Sequence, residues 1–167
     1  LHTKCEIGKD KAISELEEEF DGIFLGIGST KSNSIKIDGS NASNVHFAID
    51  FLTGLQKRNL GNKNVSYIDV ADKKVVVIGG GDTAMDCVRT SVREGAISVK
   101  CLYRRDEANM PGSKKEVINA KEEGVEFVFN VSPKSIKVEK NLAIGVELLK
   151  TSMGKSDTSE RQKVVLI

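Results

Sequence analysis

Val75-Val76-Val77-Ile78 runs directly into Gly79-Gly80-Gly81-Asp82-Thr83-Ala84, and apolar residues then recur with helical spacing as far as Arg93. A strand, a bend of bare glycines and a helix form the setting in which a backbone can approach a pyrophosphate. Gly79 permits the tight turn, and Gly81 has no side chain to hold a phosphate off. Ala84 is small enough for helix and strand to pack closely. The amides of the first helical turn, aided by the helix dipole, would receive the phosphates. Gly79, Gly80, Gly81, Asp82, Thr83 and Ala84 are therefore the candidate dinucleotide-binding set. Within it, Asp82 reads first as an N-cap, because a carboxylate beside phosphates is repelled. Thr83 either donates its hydroxyl to phosphate or packs in the first turn. The competing reading of the whole motif is a glycine turn that binds nothing.

Which dinucleotide is expected depends on the end of the next strand, where an acid meets the ribose of NAD and a cation the 2′-phosphate of NADP. Arg104 and Arg105 stand there, with no acid at the strand end. Two guanidiniums can grip a phosphate with paired, charge-assisted hydrogen bonds. NADP is the expected cofactor; the alternative is that both arginines pair with Asp106 and Glu107 on a solvated loop.

These residues need elements to carry them. Residues 11–20 place Ile13, Leu16 and Phe20 on one face of a short helix, and residues 23–28 form an apolar run expected as a strand covered on both faces. Residues 31–44 read as a polar connection. Asn44 is expected to cap a helix with the stripe Val45, Ala48, Ile49, Leu52 and Leu55. Strand 75–78, helix 82–93 ended by Gly95, and strand 97–103 follow. Ser113 and Glu116 have the spacing of a capping box for a helix closed by Gly124. Residues 125–131 form a third strand. An antiparallel hairpin turning at Lys140-Asn141 comes next, then a solvated loop over 151–162, then a last parallel strand from 163 to the end. The expected fold is α/β, a Rossmann-like domain with a parallel sheet and a β-meander.

Composition limits the function further. The 167 residues are 39% apolar and 29% charged, the mix of a globular protein with a core. Twenty-five Lys plus Arg against 24 Asp plus Glu give a net charge of +1, which argues against a nucleic-acid or membrane-surface binder. No apolar run reaches the roughly 20 residues needed to cross a bilayer. Cys5, Cys87 and Cys101 are odd in number and far apart, so neither a disulfide framework nor a metal site is expected, and a cytoplasmic location is. Cys87 and Cys101 fall on apolar faces and read as core residues. No Ser-His-Asp set or carboxylate pair stands out, and no catalytic side chain is expected. The start at Leu1 and the end in Val164-Val165-Leu166-Ile167 read as a piece of a longer polypeptide.

Three stretches together carry a family likeness: residues 75–90 (VVVIGGGDTAMDCVRT), 103–113 (YRRDEANMPGS) and 122–127 (EEGVEF). In them the chain closely resembles the small (beta) subunits of NADPH-dependent glutamate synthase, and more widely the NADPH-binding parts of dihydropyrimidine dehydrogenase and similar flavoprotein reductases. The resemblance implies an oxidoreductase in which NADPH reduces FAD and electrons pass through iron–sulfur clusters to a glutamate-forming large subunit. It implies that Gly79, Gly81, Asp82, Thr83 and Ala84 hold the NADPH pyrophosphate and Arg104 and Arg105 its 2′-phosphate, with Gly26 and Gly28 near FAD. Residues 1–38 would then be the C-terminal piece of a flavin-binding domain, and residues 39–167 the NADPH-binding domain. The rest of the flavin site and the cluster cysteines would lie outside these residues. Two alternatives stand beside this: a related reductase serving ferredoxin or a pyrimidine-reducing domain, and a nucleotide-binding module without turnover.

Overall fold

The computed structural model describes residues 2–28, 32, 34–156 and 162–166. The chain divides into two compact units, Leu1–Lys31 and Ser32–Ile167.

The first unit holds helix α1 (Ile13–Glu19), closed by the Phe20 amide on the Leu16 carbonyl and flanked by an ion pair between Lys11 and Glu19. The run 23–28, expected as a doubly covered strand, takes no strand pairing, and Phe24 and Ile27 are 95% and 80% exposed. Apolar character supplies the burial term of a strand but not the neighbouring backbone that makes one. Residues 29–31, which follow this run, lie outside the described residues.

The second unit opens with helix α2 (Ala48–Asn59), which buries Phe51 and Leu55. Its N-cap is Phe47, not Asn44. The Asn44 side chain instead donates to the Ala143 carbonyl at 3.1 Å and accepts the Ala143 amide at 2.7 Å. A side chain that meets both groups of a distant residue is no longer available to a helix end three residues on.

Strand β1 (Lys74–Ile78), helix α3 (Asp82–Arg93), strand β2 (Ser98–Leu102), helix α4 (Lys114–Glu122) and strand β3 (Glu126–Val128) follow in alternation. The strands form one parallel sheet in the order β1-β2-β3, with Val75 opposite Val99 and Val77 opposite Cys101. Gly95 and Gly124 end the two helices in the left-handed region, at φ +85° and +93°. Ser113 is the N-cap of α4, but its side chain makes no cap bond, and the Glu116 side chain is taken by Arg89 on α3. The core lies between sheet and helices. Met85, Val88, Cys101 and Ala120 are essentially inaccessible there, joined by Ala84, Val99, Val117 and Val125. Phe51, Leu55, Val70 and Cys87 form a second cluster against Val75 and Val77.

Strands β4 (Val131–Glu139) and β5 (Leu142–Ser156) are joined by Lys140 and Asn141, both at positive φ (47° and 65°), the conformation that suits a two-residue hairpin. Strand β5 continues through 151–156, where a loop is expected, and pairs with β6 (Gln162–Leu166). Residues 157–161 lie outside the described residues. The pairing of β6 is antiparallel, in a sheet ordered β4-β5-β6, and this corrects the expectation of a fourth parallel strand. A short apolar run specifies a buried strand without specifying its direction; the preceding strand β5, long enough to be folded back upon, decides it.

Candidate dinucleotide site

The glycine turn leaves the C-terminal end of β1, the edge at which parallel α/β sheets receive ligands. Gly79 sits at φ +146°, a backbone that L side chains rarely adopt, and a Cβ on it would lie 3.5 Å from the Ala84 Cβ. Ala84 is 8% exposed, so strand end and helix start approach as closely as the sequence requires. Gly81 is the N-cap of α3, and its carbonyl accepts the amides of Ala84 and Met85. The amides before them precede the first intrahelical bond. A Cβ on Gly81 would meet nothing within 4 Å; the space beside this backbone is open. Thr83 is exposed on the same first turn.

Gly80 has a different reason. A Cβ there would fall 2.5–2.6 Å from the Tyr103 ring, which packs flat against the turn with its residue 6% exposed. The Tyr103 hydroxyl donates to the Asn109 carbonyl at 3.0 Å. Neither Tyr103 nor Gly112 is singled out by sequence reasoning. The signal available is the middle glycine, Gly80, which the GxGxxA pattern does not require. Gly112 donates its amide to the Gly80 carbonyl at 3.0 Å, and a Cβ on it would crowd that oxygen at the same distance.

Asp82 is not the N-cap expected of it. It is the first residue of α3, and its Oδ1 accepts the Ser113 amide at 2.8 Å. The carboxylate turns toward the loop after β2 because that loop presents an amide with no helical partner of its own.

Arg104 stands two residues past the end of β2 and is exposed, and Arg105 is half-buried. Their carbonyls accept the Thr151 hydroxyl and the Asn130 amide. Asp106 accepts from the amide and side chain of Asn109, and Glu107 pairs with Lys121. A cleft of about 290 Å³ is lined by Gly79, Tyr103, Arg104, Ile78, Leu102 and Pro133 among others. Gly79 of the turn and Arg104 therefore line one space. A larger cleft of about 570 Å³ lies between α2 and α3, and no residue of the turn lines it. Gly26 and Gly28 belong to the first unit, Gly28 at φ +65°.

The buried thiols of Cys87 and Cys101 are both pushed up to about 12 by burial, with the Asp86 charge adding at Cys87. They are core residues, as expected. Among the described residues no three His, Cys, Asp or Glu side chains lie where they could hold a metal ion, and no helix is long and apolar enough to cross a membrane.

Over residues 2–166 the chain matches the pyridine nucleotide-disulphide oxidoreductase family, and it belongs to that family. Within it, the chain is 45% identical over 166 residues to the glutamate synthase [NADPH] small chain of Escherichia coli, covering 97% of this chain and 35% of that one. It is 43% identical over 165 residues to the small chain from Azospirillum brasilense, covering 96% and 34%. The chain thus spans about a third of the length of these relatives. Among solved structures, FprA from Mycobacterium tuberculosis in complex with NADPH superposes with a TM-score of 0.72 at 18% identity, over 96% of this chain and 49% of that one. At that identity the likeness is one of fold.

Proposed function

We propose that residues 39–167 form the NADPH-binding part of a flavoprotein oxidoreductase, the small subunit of a glutamate synthase. The observation that carries this is the shared cleft: Gly79, at the end of β1, and Arg104, just past the end of β2, line the same space. The residues fit the cofactor. The open room beside Gly81 would admit a pyrophosphate to the start of α3, and the Arg104 guanidinium would supply a cation for the 2′-phosphate.

When bound, NADPH supplies a hydride for reduction of FAD, chemistry that belongs to the cofactors. The side chains bind and orient. Gly79 and Gly81 let the backbone approach, Thr83 and the first-turn amides face the phosphates, and Arg104 and Arg105 read the 2′-phosphate. Gly26 and Gly28 lie near FAD, most of whose site is contributed by residues beyond these. Identity of 43–45% to glutamate synthase small chains supports a large subunit as electron acceptor and a cytoplasmic setting.

Calorimetric titration with NADPH and NADH tests the assignment. Replacing Arg104 and Arg105 with alanine is expected to weaken NADPH by about 1.5–3 kcal/mol for each charged hydrogen bond lost, with little effect on NADH. Equal losses for the two would remove the 2′-phosphate from this place.

A further inference from the structure

The loop carrying Arg104 and Arg105 is held to the glycine turn at both of its ends. At its start the Tyr103 ring packs on Gly80. At its far end two successive amides, of Gly112 and Ser113, donate to the Gly80 carbonyl and to Asp82 Oδ1, at 3.0 and 2.8 Å. Between the ends, the Tyr103 hydroxyl donates to the Asn109 carbonyl, and Asp106 accepts the Asn109 amide, so the segment is braced inside as well. Of the two far-end ties, only one depends on a side chain. Asp82 is also the one member of the candidate set whose charge opposes a phosphate ligand, so a role in direct cofactor contact is the poorer use of it.

We infer that Asp82 is a positioning residue for NADPH selectivity: by holding the Ser113 amide it sets the loop that presents the arginines, and so governs discrimination between a 2′-phosphate and a 2′-hydroxyl without touching either. The inference rests on the assignment of Arg104 and Arg105 to the 2′-phosphate. A carboxylate acting only on the helix dipole, or only on the pyrophosphate, would change affinity for both dinucleotides alike.

The test measures Kd for NADPH and for NADH by calorimetry in the full chain, and follows their ratio. Asp82→Ala removes the acceptor and is expected to reduce the preference for NADPH about tenfold, the scale of one charge-assisted hydrogen bond. Asp82→Asn keeps an acceptor oxygen and should retain most of the preference. Ser113→Pro deletes the donor from the other side while leaving the carboxylate in place, at a residue whose φ of −55° suits proline, and should lower the ratio as Asp82→Ala does. It also serves if Asp82→Ala does not fold. An unchanged ratio in Asp82→Ala or Ser113→Pro overturns the inference, as does an Asp82→Asn loss equal to that of alanine. The Arg104→Ala/Arg105→Ala chain separates the two failures. If it loses the preference while the Asp82 and Ser113 variants keep theirs, the arginines stand and the positioning role falls; if it keeps the preference, the arginine assignment itself falls.

Discussion

The ring of Tyr103 lies where a Cβ on Gly80 would have to go, and this gives the middle glycine a steric reason independent of any ligand. Gly80→Ala is expected to force ring and turn apart, lowering unfolding free energy by about 1–3 kcal/mol, as overpacking does. Because the turn itself shifts, affinity for NADPH and NADH should fall together, in contrast to the arginine variants. Urea denaturation and titration of the same preparation check both halves. The features legible in the sequence at this scale are local: Gly79 for its backbone angle and Ala84 for its size. Asp82 and Tyr103 were misjudged or missed because their partners, Ser113 and Gly80, are 31 and 23 positions away, and no spacing rule reaches that far.

Helices α3 and α4 are tied across their exposed sides by Arg89, which meets both Glu116 and Glu123, and by Arg93, which meets Glu123 at 2.7 Å. Hydrogen bonds from Arg89 first, then Arg93, hold the Glu123 carboxyl below its ordinary range. A carboxyl depressed in the folded chain stabilises it above the unfolded pKa, and that contribution fades as pH falls through the folded value. Glu123→Gln is therefore expected to lower the melting temperature at neutral pH, with the difference from the parent chain shrinking as pH drops below the ordinary carboxylate range; thermal melts across that range decide it. The same pair explains why the capping box at Ser113 does not form: Glu116 has an arginine to meet. Elements whose period and stops agree, such as α3 and the 140–141 turn, were legible from the chain alone. Asn44 is not, since its partner Ala143 lies 99 positions along the chain, and neither is the direction of β6, which is decided by the length of the strand before it.

At the scale of the whole molecule, the turn, the arginines, the parallel sheet and the meander all belong to the unit that begins at Ser32, while the apolar run 23–28 belongs to the other. Its apolar composition suggests a covered strand, but composition reports a preference for burial and not the presence of something to be buried against. The family was legible because three stretches of local chemistry, each tied to a loop or helix start, sit in one order along 167 residues. The three cysteines divide along the same line. Cys5 is exposed in the first unit, whereas Cys87 and Cys101 are core residues of the second, their thiols raised to about 12. A maleimide dye reacts with thiolate, so near neutral pH it should label the native chain once, at Cys5, and reach three equivalents only after denaturation, as mass spectrometry would count. Conjugation chemistry can thus mark one unit selectively without engineering a single residue.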